Sequence, residues 1–347
     1  MIIPYRTRRR LRRLGTFLLA VTLFGVLATI CWTTWVERYL IYTRDGVVLN
    51  FEQDYHIPEG IVAVPPANED AVSIYFNEGD NALELSTELT QLKGYYVSTS
   101  VLSTDIAGTM ETIRSLESGT AVMVDVKSVK GVFYYSTEIT GANTANIDLN
   151  AADSLIQLVT KGDYYSIARV PAFRDYYYGL NYVDEGLPYA YGSGYLWMDD
   201  SGCYWLKPTS TKVLNYLIEI VTELKALGFD EVVFTDFCFP DTENVTFHGD
   251  KNEAIISAMN TLITNCNTSG FAVSFSVTNY ALPIPEGRSR LYLEGIPAKN
   301  VGLIASQVVI TEPDIRLVFM ADTNDTRFDE YGVLRPIEAA SVLENQQ

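Results

Sequence analysis

Histidine and cysteine are scarce in this chain. Two histidines, His56 and His248, and four cysteines are spread over 347 residues, with no HExxH and no CxxC. An ordinary zinc site needs such ligands at short spacing, so no metal is expected. Cys31 falls in a long apolar run, leaving Cys203, Cys238 and Cys266. Three thiols make no disulfide framework; one bridge is possible, and the sequence does not choose it. Also missing are GxGxxG after a strand, GxxxxGK followed by Ser or Thr, and GxSxG. Nucleotide cofactors and serine-hydrolase chemistry are therefore not expected, and no cofactor is assigned.

Acidic residues are absent before Glu37, where "RTRRRLRR" supplies six arginines. Removing those six from the net charge of −18 leaves −24 for the part from Glu37 onward. So acidic a body repels nucleic acid, and no nucleic-acid partner is expected. A membrane explains the arginines better. Residues 14–36, "LGTFLLAVTLFGVLATICWTTWV", carry no charge and exceed the ~20 residues that span a bilayer as a helix. Arginines ahead of the run place the N-terminus in the cytoplasm, and Trp32 and Trp35 suit an interfacial belt. A cleaved signal peptide has a shorter apolar core of ~7–15 residues and a small-x-small cleavage site. Ile30 before Cys31 argues against a lipoprotein site. The expectation is a single-pass cell-membrane protein whose C-terminal domain is extracytoplasmic.

What is present is ample apolar and aromatic material, 48% and 12% of residues, enough for one large domain or two small ones. Residues 1–13 read as a basic cytoplasmic tail and 14–36 as the transmembrane anchor. Residues 37–90 read as a stalk or cap, with short strands in "YTRDGVVLNF" and "AVSIYF" around the linker "VPPANED". From residue 91 to 347 strands alternate with helices. "KGYYVSTS", "TAVMVDVK", "YYSIARVPAF", "DEVVFTDF", "GFAVSFSVTN" and "DIRLVFMA" read as strands. "TDIAGTMETIRSLES", capped by Thr104 or Asp105, and "KNEAIISAMNTLITNC" read as helices. So does "TSTKVLNYLIEIVTELKALGF", where Val213, Tyr216, Leu217, Ile220, Leu224 and Leu227 recur at helical spacing and Gly228 stops the run. Such alternation implies an α/β fold with a parallel sheet. A doubly wound sheet and a TIM barrel both fit. Polar residues gather after the strand ends, at 125–127, 169–175, 236–241 and 278–279, which leans towards a barrel with its site at that face.

Four ordered stretches are more specific: "TAVMVDVKSVKGVFYYST", "YYSIARVPAFRD", "LWMDDSGCYWLKP" and "LGFDEVVFTDFCFP". Together they resemble the glycoside-hydrolase-like family known as DUF4015. The resemblance implies a TIM (β/α)8-type barrel, irregular in places, and a role in carbohydrate breakdown. Val124, Asp125, Val126 and Lys127 match the family's second-strand ending; Ile167, Ala168, Arg169, Phe173 and Asp175 match its third. Trp197, Asp199, Gly202, Trp205 and Pro208 match its loop, with Lys207 in place of an aspartate. On the fourth strand Gly228 to Glu231, Phe234, Phe239 and Pro240 match, but the family's aspartate falls on Thr235 and its arginine on Cys238. Alternation along a strand then turns Asp236 towards the outer helices. Either the strand bulges and re-aims Asp236 inward, or the site has lost a carboxylate.

Glycoside hydrolysis needs two carboxyl groups astride the bond. Asp125 and Asp236 end different strands and are the expected catalytic pair, with acid and base roles interchangeable. Their bland readings are an ion pair of Asp125 with Lys127 or Arg169, and a solvated loop or cap position for Asp236. Lys127, Arg169, Asp175, Trp197, Asp199 and Trp205 are the expected substrate-binding residues. The basic pair holds a carboxylate or an anionic sugar substituent, and the tryptophans stack on sugar rings or pack their loop. Asp241 and Asp199 are reserve carboxylates. Glu231, at the opposite end of its strand, is set aside. The Tyr- and Gly-rich run from Arg174 to Trp197 reads as a binding loop or lid. The expected partner is a polysaccharide or envelope glycan. A non-catalytic carbohydrate-binding or envelope-scaffold protein on the same barrel is the alternative.

Overall fold

In the segments Ala121–Asp125 and Glu231–Thr235 every side chain is buried. A strand without a polar face must be covered on both sides, as in a parallel sheet wrapped by helices. The structure, a computed structural model, closes these strands into a barrel. It describes residues 40–43, 46–49 and 89–337, apart from 193 and 286. The chain forms two units, residues 1–78 and 79–347. In the first, Leu40–Thr43 pairs antiparallel with Gly46–Leu49, a hairpin where a single short strand was expected in "YTRDGVVLNF". The expected membrane helix at 14–36 and the strand in "AVSIYF" lie outside the described residues. Among the described residues no helix is long and apolar enough to cross a membrane.

The second unit is an eight-stranded parallel barrel. Its strands are β1 (Lys93–Val97), β2 (Ala121–Asp125), β3 (Tyr165–Pro171) and β4 (Glu231–Thr235), then β5 (Ala272–Phe275), β6 (Leu291–Glu294), β7 (Leu317–Met320) and β8 (Gly332–Pro336). β8 pairs with β1 and closes the ring. Gly94 lies so near β2 that a Cβ there would collide with the Ala121 carbonyl. Helices α1 (Ile106–Arg114), α2 (Leu149–Lys161), α3 (Thr211–Leu227), α4 (Lys251–Cys266) and α5 (Val301–Gln307) cover the outside. Among the described residues no helix bridges β5 to β6, so the barrel is irregular there.

Capping follows the sequence. Asp105, not Thr104, caps α1 by accepting from Gly108 N, and Gly228 ends α3 at φ 100. The helices α2 and α5 and the strands β6 and β8 are elements the sequence reading did not pick out. The pattern of α2 was nonetheless present: Ala152, Leu155, Ile156 and Val159 form its buried stripe.

Alternation sorts the core into two layers. Ala121, Met123, Ile167, Val233, Tyr292, Val318 and Leu334 pack together inside the barrel. Their neighbours Val122, Val124, Ala168, Val232, Phe234 and Phe275 face the helices and meet Leu155, Leu217, Ile220 and Leu262. Each Val, Leu, Ile, Phe or Met among them contributes about 1.5–3 kcal/mol by leaving water. The floor of the barrel is polar but sealed. Glu231 and Arg290 are fully buried and paired at 2.5 Å. Tyr165 and Tyr292 donate to the Glu231 carboxylate at 2.9 and 3.0 Å.

Candidate active site

The strands that end in polar residues all deliver them to the opposite, open end. Asp125 and Arg169 are register partners on β2 and β3. Arg169 Nη1 donates to both Asp125 oxygens, at 2.9 and 3.1 Å. Its Nη2 donates to Glu294 Oε2 at 2.6 Å. One guanidinium therefore ties the end of β2 to the end of β6. Burial works against the Arg169 charge, but Asp125 and Glu294 outweigh it and hold the proton more firmly. Burial also raises the Asp125 pKa, with Arg169 opposing the rise.

Asp236 follows β4 directly. Thr235 keeps the inward position that alternation gives it, and Asp236 then takes a left-handed backbone with φ 49. Outside glycine that conformation is uncommon, and aspartate is among the residues that tolerate it. The kink sends Phe237 into the outer aromatic layer, 4.6 Å from Phe173 and 4.7 Å from Phe275 between ring centroids. It also puts the Asp236 carboxylate on the cleft wall beside Thr235. A single left-handed residue thus does what a bulge was expected to do. Asp236 is poorly paired: its nearest cation is Arg174 Nη1 at 3.8 Å, and Thr235 Oγ1 is 3.4 Å away. Burial raises its pKa; Arg174 and Arg169 oppose this, and Glu294 adds to it.

The cleft at the mouth has a volume of about 880 Å³. Arg169, Asp236, Glu294, Trp197 and Trp205 line it, with Asp241, Lys251 and Asn279 further out. Cys238, in the place of the family's arginine, also lines it. Burial pushes its thiol up to about 11, so it stays protonated at neutral pH.

The other expected residues divide. Asp125 does not line the cleft; it lies beside Arg169, only 8% exposed. Lys127 and Asp175 do not reach the cleft either. They pair with each other at 2.7 Å, both wholly buried. Tyr178 N and Tyr216 Oη complete the Asp175 shell at 2.8 and 3.2 Å. Asp199 is consumed by its own loop. Its Oδ1 accepts from Ser201 N and Cys203 N, and its Oδ2 from Arg174 Nε and Trp205 Nε1, at 2.6 to 3.0 Å. Burial works against its charge, but these donors hold its pKa below the usual value. Asp199 therefore fixes Arg174, which approaches Asp236, and Trp205, which faces the cleft.

The sequence reading missed Glu294. The signal was "LYLEG", a short apolar run ending in a carboxylate, as at the ends of β2 and β4, here followed by a glycine.

The Tyr-rich run opens with a short helix, Tyr176–Asn181, and from Gly186 continues to Leu206 as a β-arm beside the cleft that Trp197 and Trp205 line. Bridges Gly186↔Leu206, Pro188↔Leu196 and Met198↔Tyr204 pair it with itself, and Tyr189↔Val245 ties it to the loop after β4. Lys130 on the β2–α2 loop anchors the arm by donating to the Ser201 and Gly202 carbonyls at 2.7 and 2.8 Å.

Comparison with solved structures returns the same architecture. The glycoside hydrolase domain of PgaB (BpsB) from Bordetella bronchiseptica superposes with a TM-score of 0.50 at 11% identity, covering 74% of this chain and 96% of that one. A hypothetical protein from Ruminiclostridium thermocellum is 22% identical over 52% of this chain and 96% of its own, with a TM-score of 0.45. At 11% identity the likeness to the Bordetella domain concerns the fold. No curated protein matches the sequence. The DUF4015 family, described as "Putative glycosyl hydrolase domain", matches residues 94–286, which include β2 to β5, the arm and Asp236. With more than half of its length matched, the chain belongs to the DUF4015 family of glycosyl-hydrolase-like domains.

Proposed function

We propose that the barrel mouth hydrolyses glycosidic bonds of a polysaccharide or envelope glycan, with Asp236 and Glu294 as its two carboxyl groups. The observation that carries this reading is the left-handed turn at Asp236, which puts an under-paired carboxylate on the wall of the cleft that Glu294 also lines. Backbone strain of about 1–3 kcal/mol at a non-glycine residue is typical of functional positions. Asp236 is the general acid. Burial favours its protonated form, the form that delivers a proton to the leaving glycosidic oxygen. Glu294, oriented by the short charge-assisted bond from Arg169, attacks the anomeric carbon or activates water there. Asp125 acts through Arg169 as a positioning residue. Trp197 and Trp205 supply the sugar-stacking faces. In this reading residues 14–36 anchor the protein in the cell membrane, and the barrel works on its outer side.

Thr235, where the family carries an aspartate, favours a second reading: a carbohydrate-binding or scaffold protein without turnover. Reducing-end release from soluble polysaccharides separates the two. Asp236→Asn and Glu294→Gln should each lower turnover by roughly 10²–10⁴-fold with sugar affinity retained. Turnover that survives both changes sinks the assignment. Binding without turnover in the unaltered protein selects the second reading.

A further inference from the structure

We infer that the cleft continues beyond the mouth as a groove along the β-arm that holds further units of a polymeric glycan, uncharged or amine-bearing. This rests on the reading of the mouth as a carbohydrate site. A second cavity, of about 590 Å³, shares Trp197 and Asp241 with the mouth cleft, so the two adjoin across those residues. Tyr189 and Met198 give it apolar faces, and Asp200, Thr242 and Asn244 give it hydrogen-bonding edges. That is the make-up a sugar ring calls for, with flat C–H faces and hydroxyl rims.

The arm keeps aromatic rings in water at a cost. Tyr191 and Tyr195 are each 72% exposed and Tyr189 is 37% exposed, on a segment with no need of them as core. Tyr191 lies 5.7 Å from Tyr189, edge to face, extending the ring surface that starts at Trp197. The backbone beneath is fixed, because Ala190 N donates to Asn244 O at 2.8 Å and Thr246 N to Pro188 O at 3.0 Å. Exposed aromatic clusters on a rigid frame mark interaction sites. Charge selects among glycans. Among the described residues, no lysine or arginine lines the second cavity, while Asp200 and Asp241 do. Uronates, sulfates and phosphates are repelled there, and neutral or ammonium-bearing sugars are accepted.

The test is affinity electrophoresis of the full-length chain in mild detergent through gels containing β-glucan, chitosan or polygalacturonate. β-Glucan, chitosan or both should retard the protein, and polygalacturonate should not. The double change Tyr189→Ala with Tyr191→Ala should weaken that retardation by roughly tenfold or more. Tyr191→Ala with Tyr195→Ala, at largely exposed positions, should weaken it without moving the thermal midpoint. Retardation unaffected by both double variants, retardation by polygalacturonate alone, or none by any polymer overturns the inference. The outcome is separable from turnover. Arm-dependent retardation with no hydrolysis sinks the hydrolase reading alone, and hydrolysis with arm-independent retardation sinks the groove alone.

Discussion

At the floor of the barrel Glu231 has hydrogen-bond partners on both oxygens, Arg290 and Tyr165 on one and Tyr292 on the other. At the mouth the nearest cation to Asp236 is 3.8 Å away. Both carboxylates belong to the same stretch of chain, five residues apart. The floor network is sealed, so its charges carry the full desolvation cost, and the Glu231 carboxylate keeps partners on both oxygens. The mouth is open on one side, and there a carboxylate can be left short of partners. A group in that state has a proton affinity set by burial more than by pairing, and its free edge is available to a substrate. The comparison separates stability from chemistry within one barrel.

The largest expected effect breaks the floor. Arg290→Ala strands Glu231 inside the barrel and should cost about 3–5 kcal/mol in denaturant unfolding. A loss under about 1 kcal/mol, the range of exposed pairs, would show that water reaches the floor. Next comes the loss of turnover in Asp236→Asn, the same size in energy but expressed in rate. The pH profile sharpens it. A general acid must be protonated, so turnover should fall as pH rises through the raised Asp236 pKa. An acidic limb at that position instead would make Asp236 the base.

Smaller is the effect of Asp125→Asn, which leaves Arg169 with one charged partner, Glu294. Turnover should drop less than in Glu294→Gln, and Asp125→Glu should restore part of it. Equal losses in the two single variants would place Asp125 in contact with substrate. The smallest effect concerns stability at the mouth. Because the folded pKa of Asp236 lies above the unfolded value, its ionisation favours the folded state less than the unfolded one. The contribution is fully present below the unfolded pKa and is lost as pH rises through the folded one. Asp236→Asn, which keeps the left-handed turn, should therefore raise the melting temperature by a few degrees at neutral pH. That gain should vanish in acid below about pH 4, the unfolded aspartate value. A gain that is independent of pH would point to the backbone.

The strands β1 to β5 and β7 and the helices α1, α3 and α4 were legible because each carries its own period and punctuation. α2 was as regular but stood among polar loops. β6 and β8 are as long as strands that were legible, but the apolar runs of β6 (Leu291–Leu293) and β8 (Val333–Leu334) are brief and sit among charged and glycine residues, and β6 has no preceding helix to announce it. Glu294 went unseen for that reason. The sequence by itself determined a parallel α/β architecture, the family, and the gathering of polar residues at the C-terminal strand ends, because these follow from local period and motif. Only the tertiary structure decided which of those residues meet. Strand alternation assigns Asp236 to the outer face; one residue at φ 49 reverses that. Lys127 matches the family pattern as closely as Arg169 does. Yet Lys127 is drawn into a buried pair with Asp175 while Arg169 stays at the cleft. Side-chain direction depends on a single backbone dihedral and on partners tens of residues away, and neither is written in local pattern.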